Sequence, residues 1–162
     1  MGLDRNELQR LIPALRRFSR GLTGNAVLAD DLVQDCLVRA LDREAQFQGR
    51  MLGPWLFAIL ANSHRSRFRT ERARPPAEPL ADIADAGSDP LMRSAIVKAL
   101  TALPEDQRKA LLLTALEGFS YGEVAEMLAV PVGTVMSRIH RARATLAARL
   151  GEPSIVPMRR AK

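Results

Sequence analysis

Apolar positions along this chain recur at helical spacing, and no stretch alternates in the manner of a strand. Leu8, Leu11, Ile12 and Leu15 make the first stripe, with Asp4 placed to cap it and Glu7 three residues further on. Pro13 interrupts that run, so the helix either kinks there or starts later; Gly21 to Gly24 ends it. Asn25 is placed to cap a stronger helix from Ala26 to about Asp42. Leu28, Leu32, Cys36 and Ala40 form its inner line, widened by Val33, Leu37 and Leu41. Periodicity is lost from Arg43 to Gly53, which reads as a loop carrying an exposed Phe47 and a basic Arg50. Pro54 suits the first turn of a third helix, running to about Arg72. Trp55, Leu56, Ile59, Leu60 and Ser63 share one side of it, and Arg65, Arg69 and Arg72 share another.

The stretch from Pro75 to Pro90 differs in kind. Four prolines and the acids Glu78, Asp82, Asp85 and Asp89, with no basic residue, predict a linker between domains. Leu91, Ala95, Ile96, Ala99, Leu100 and Leu103 then pattern a helix, and Pro104 opens the next, with Glu105 and Asp106 at its start and Gly118 as its cap. Ser120 and Glu123 have the spacing of a capping box ahead of Val124, Ala125 and Leu128. Pro131 predicts a break near residues 129 to 131. A last helix carries Val135, Ile139, Ala142 and Leu146 as an apolar stripe, while Thr134, Ser137, Arg138, His140, Arg141 and Arg143 occupy its other faces. Two short helices joined by a tight turn, the second basic, are the arrangement that inserts into a DNA major groove. The predicted fold is therefore all-α: two small helical domains joined by a flexible linker, the second containing a helix-turn-helix. Residues 1–74 form the first domain, 75–90 the linker, 91–150 the second domain and 151–162 a frayed tail.

Composition sharpens the function more than the fold. A net charge of +6 and a pI near 10.6 favour a polyanionic partner, nucleic acid before acidic membrane. Between Arg50 and Arg74 stand six arginines against one acid, Glu71, fewer acids than a solvated surface helix carries. No apolar run is long enough to span a bilayer, and the first twenty residues have no uninterrupted apolar core, so a cytoplasmic protein is expected. One cysteine and two histidines offer neither a disulfide nor a zinc spacing; neither histidine sits in a catalytic constellation, and no glycine-rich phosphate loop occurs. No catalytic residue, cofactor or metal is expected, and Cys36 reads as a small core residue.

Two basic surfaces on separate helical domains resemble the extracytoplasmic-function (ECF) sigma factors of bacterial RNA polymerase, over nearly all of residues 5 to 150. ADDLVQDCLVRAL, residues 29–41, is similar to the family's region 2.2, which binds the clamp of the polymerase β′ subunit. GPWLFAILANSHRSRFR, residues 53–69, resembles regions 2.3 and 2.4, which melt and read the minus-10 promoter element. Residues 103–143 resemble region 4, which reads the minus-35 element and touches the β flap. The resemblance implies core-polymerase contacts at Asp31, Gln34 and Asp35. It implies minus-10 DNA contacts at Phe47, Arg50, Trp55, Asn62, Arg65 and Arg69, the loop around Phe47 to Arg50 lying where the family captures a flipped base. It implies minus-35 contacts at Thr134, Ser137, Arg138, His140 and Arg141, and an anti-sigma factor as a further partner.

The chain departs from the family pattern at three places. Region 2.4 often reads Asn, three residues, Asp, two residues, Arg; here Ser66 stands where the acid is usual, between Asn62 and Arg69. Met136 occupies a position where many members carry Lys or Arg, and His140 one where several carry an aromatic ring. Methionine cannot grip guanine in the bidentate way of arginine, so a distinct minus-35 preference is expected. Similar methionine-bearing wording occurs in sigma factors of the general stress response of alphaproteobacteria. The missing acid also leaves open a second reading, a sigma-like decoy that sequesters an anti-sigma factor. A stand-alone regulator using the helix-turn-helix alone would leave the first domain without a purpose.

Overall fold

The computed structural model describes residues 2–49, 51–68 and 89–151, with the side chains of residues 64–68 excepted. Seven α-helices account for the architecture, and no strand occurs among the described residues.

The first half is a three-helix unit. Helix α1 spans Arg5–Thr23; the Asp4 carboxylate accepts from the amides of Asn6 and Glu7, which fixes its start. Pro13 lies inside this helix rather than delaying it. The proline is exposed and the helix continues past it to Thr23, where Gly24 closes it in the left-handed conformation at φ 66°. Helix α2, Ala26–Asp42, is capped by Asn25, whose side chain accepts from Val27 and Leu28. Its inner face is Ala29, Leu32, Val33, Cys36 and Ala40; Leu41, expected to widen that face, is exposed. A single 3-10 turn, Glu44–Gln46, breaks the expected loop, tied down by Glu44 accepting from the Leu3 amide at 2.7 Å. Helix α3, Leu52–Phe68, buries Leu56, Phe57, Ile59, Leu60, Ala61 and Ser63.

The second half begins at α4, Pro90–Ala102, with Asp89 accepting from the Leu91 amide. Of its expected stripe Ala99, Leu100 and Leu103 are buried and Leu91 is exposed, while Val97 joins the buried face. The expected single helix from Pro104 is two elements: α5, Glu105–Leu111, runs directly into a π turn, Leu112–Leu116. All six residues from Arg108 to Leu113 are buried. A helix buried all round lies at the centre of a core. Helix α6, Tyr121–Leu128, has both halves of its capping box: the Ser120 amide donates to Glu123 at 2.8 Å and the Glu123 amide to the Ser120 hydroxyl at 3.1 Å. Ala129 ends it at φ 54°, the only non-glycine residue with positive φ among those described. Helix α7, Val132–Leu150, buries Val135, Ile139, Ala142 and Leu146, the stripe expected from spacing.

The two halves share one interior. Phe57 packs edge-on between Phe18 and Phe119, with ring centroids 5.4 and 5.2 Å away, so an aromatic chain crosses from α1 to the turn before α6. Gly21 permits a close approach: a Cβ there would stand 2.9 Å from Leu112 Cδ1. Arg17 binds Glu117 through two nitrogens at 3.2 and 3.0 Å. The Arg108 guanidinium donates to the carbonyls of Leu22, Leu100, Thr101 and Leu103, joining the end of α1 to the turn between α4 and α5.

Candidate nucleic-acid interface

Three surface faces emerge from this scaffold. On α7, burial of one stripe leaves Ser137, His140 and Arg141 exposed, with Thr134 and Arg138 half-buried beside them. Thr134, Ser137, Arg138 and Arg141 line a notch of about 440 Å³ whose other wall is Pro104, which precedes α5, with Asp106 and Gln107 of α5. The structure thus brings four of the five expected residues to one concavity, while His140 faces outward beside the exposed Met136. The Ser137 hydroxyl donates back to the Gly133 carbonyl at 3.0 Å, and Arg138 stands 3.8 Å from Asp106. Arg143, expected among the outward polar residues, is half-buried, and its Nε and Nη2 atoms are enclosed without a hydrogen-bond partner.

The second face surrounds the 3-10 turn. Phe47, expected to be exposed, is half-buried because its ring lies 5.1 Å from that of Trp55 at a 47° tilt. Phe47, Gly49, Met51 and Trp55 line an open cleft of about 730 Å³ that Glu123, Glu126 and Met127 of α6 also line. Asn62 is exposed two turns along α3 from Trp55, on the same face. Arg50 and Arg69, together with the side chain of Arg65, lie outside the described residues.

The third face is on α2, where Asp31 and Asp35 are half-buried and Gln34 exposed. Helix-dipole stabilisation does not account for these acids: the first turn of α2 holds none, and the dipole's influence falls off within a turn. Asp30 is engaged elsewhere, 3.8 Å from Arg16. Val38 and Leu41 stand exposed one and two turns further along the same side. Sequence reading passed over Val38 and assigned Leu41 inward; the signal available was an apolar arc wider than one buried stripe requires.

Among the described residues no group of three or more His, Cys, Asp or Glu could hold a metal ion. Cys36 is enclosed, its thiol donating to the Leu56 carbonyl at 3.4 Å, and burial pushes its pKa up to about 12 against a smaller lowering by Arg39. No helix among the described residues is long and apolar enough to cross a membrane.

Comparison with known proteins agrees with this geometry. Residues 93–146 match the family model for sigma-70, region 4, and residues 8–61 that for the sigma2 domain of PhyR. The ECF RNA polymerase sigma factor EcfG of Rhodopseudomonas palustris is 41% identical over 152 residues, covering 90% of this chain and 84% of that protein. Among solved structures, the sigma factor RpoE of Bartonella quintana, in complex with the anti-sigma factor NepR, superposes with a TM-score of 0.77. It is 35% identical, and the match covers 90% of this chain and 95% of that one. The anti-anti-sigma factor PhyR of the same organism shares the fold at 20% identity and a TM-score of 0.61, over 90% of this chain and 49% of its own. With a basic helix-turn-helix, a three-helix partner unit and these relatives, the chain belongs to the extracytoplasmic-function RNA polymerase sigma factors.

Proposed function

We propose that the two outer faces divide promoter recognition between them and that the α2 face docks on core polymerase. Thr134, Ser137, Arg138, His140 and Arg141 read the minus-35 element in the major groove and touch its phosphates. The observation that carries this reading is the division of α7 into a buried apolar stripe and an outward face of hydroxyls and guanidinium groups. Phe47, Trp55 and Asn62, with Arg50, Arg65 and Arg69, open and hold the minus-10 element. The Phe47 and Trp55 rings provide an apolar wall against which an unstacked base packs. Asp31, Gln34 and Asp35 meet the β′ clamp, with Val38 and Leu41 adding apolar area, and the second half meets the β flap. The work is binding rather than covalent chemistry, in the cytoplasm where polymerase resides, and no cofactor enters it. An anti-sigma factor is a further partner, by analogy with the NepR complex of the Bartonella sigma factor.

The decoy reading draws on the match of residues 8–61 to the sigma2 domain of PhyR and on Ser66 standing where the region 2.4 acid is usual. Against it stand the 41% identity with EcfG, over far more of the chain, and the basic outward face of α7, which a decoy does not need. Run-off transcription with purified core polymerase on a genomic promoter library separates the two. Promoter-specific transcripts that depend on this chain are expected, and their absence from every promoter would favour the decoy.

A further inference from the structure

Asp106 lies on the opposite wall of the notch from the reading helix, in a position that bears on how Arg138 is used. Two acids open α5, and they face different ways: Glu105 binds Lys109 at 2.7 Å, whereas Asp106 reaches Arg138, its Oδ2 3.8 Å from Nη2. The Arg138 side chain is 23% exposed and that of Asp106 59% exposed, so the pair sits at the surface. A surface pair at that distance contributes little to stability. Its effect falls on what else the guanidinium can bind. Arginine grips a phosphate as readily as the edge of a guanine, yet only the second carries sequence information.

We propose that Asp106 is a specificity-determining residue that acts through Arg138. Its carboxylate competes with DNA phosphate for that guanidinium, leaving Arg138 for base edges. The proposal rests on α7 being the minus-35 reading helix. Removing the negative charge frees Arg138 to bind backbone on any sequence, so affinity for wrong sites rises and discrimination falls. An acid beside a DNA-reading arginine thus trades total affinity for selectivity.

The test uses the full chain assembled with core polymerase, transcribing a promoter library randomised across the minus-35 element. Asp106→Asn, nearly isosteric at an exposed site, is expected to lower the ratio of best to median promoter roughly fivefold, the factor one unit charge contributes at about 4 Å in water. Transcription from disfavoured promoters should rise and depend more steeply on salt, by about 0.9 in the log-log slope for one added phosphate contact. Asp106→Glu should restore the wild-type profile. In an Arg138→Ala background Asp106→Asn should change nothing further. An Asp106→Asn profile identical to wild type overturns the proposal, as does an equal effect with and without Arg138. A wild-type chain showing no minus-35 preference at all would remove the promoter-reading function itself, and this proposal with it.

Discussion

Arg108 offers the sharpest quantitative test of how the two halves are held. It is 3% exposed, and four of its hydrogen bonds end on main-chain carbonyls, those of Leu22, Leu100, Thr101 and Leu103. Burial lowers its pKa from the ordinary arginine value, opposed by the nearby Glu105 carboxylate, but a guanidinium keeps its charge in proteins. Replacing Arg108 with alanine removes those bonds, although the Leu100 carbonyl keeps the Leu103 amide at 3.1 Å. At about 1 kcal/mol net for each lost bond, the expected destabilisation is about 4 kcal/mol. For a chain of this size each kcal/mol lowers the melting temperature by about 2 to 4 °C, so a fall of about 10 °C is expected. Arg108→Lys keeps the charge but presents its donors from a single nitrogen, which cannot fork across four acceptors, so about half the loss should remain. Urea unfolding followed by circular dichroism, extrapolated to water, measures both variants. An alanine variant within about 1 kcal/mol of wild type would refute the view that this guanidinium clamps α1 to the α4–α5 turn.

Other residues give independent checks. Cys36 should resist a thiol reagent at pH 8 in the folded protein and react only at the rate of unfolding, because its pKa of about 12 keeps it protonated and the core covers it; fast labelling without denaturant would contradict this. Glu117, whose side chain is 4% exposed, has its pKa raised by burial, with the Arg17 bond opposing. A carboxyl raised on folding takes up protons in the native state, so its contribution is fully present below the unfolded pKa and is lost as pH rises through the folded one. The stability of wild type relative to Glu117→Gln should therefore decline with rising pH across that window; parallel curves in thermal melts would count against it. On α7, if it reads the minus-35 element as proposed, Arg141→Ala should weaken transcription from all promoters alike while Ser137→Ala shifts their ranking, and equal losses from both would sink that division of labour.

Much of this fold was legible because its helix ends are marked locally. Asp4, Asn25 and Ser120 each cap where a short polar side chain precedes an apolar stripe, whereas Asp89, assigned to the linker, also caps a helix. The α7 stripe follows from spacing alone. What escaped was tertiary. Leu91 and Leu41 continue apolar patterns yet stand in solvent, since a stripe does not say where the neighbouring helix stops. Phe47 is drawn inward by Trp55, a partner set by the three-dimensional turn rather than by sequence distance. The π turn hides in a run of leucines that reads as ordinary helix, because one extra residue per turn leaves no compositional mark. For the proposed minus-35 residues the sequence indicated the helix face but not the opposing wall, because only the packing of α5 beside α7 sets Asp106 across the notch.

Ala129, held at φ 54°, has a consequence for the helix pair it joins. An alanine in the left-handed region costs about 1 to 2 kcal/mol that glycine would not. Its amide and that of Val130 nonetheless bond back to α6, at the carbonyls of Glu126 and Ala125. The joint is therefore a loaded hinge pin rather than a loose one. A glycine would relax it and widen the angles α7 can adopt against α6, whereas the methyl group narrows them. Folding energy is spent at this residue on aim: the direction in which the basic helix leaves the protein is fixed before any DNA arrives.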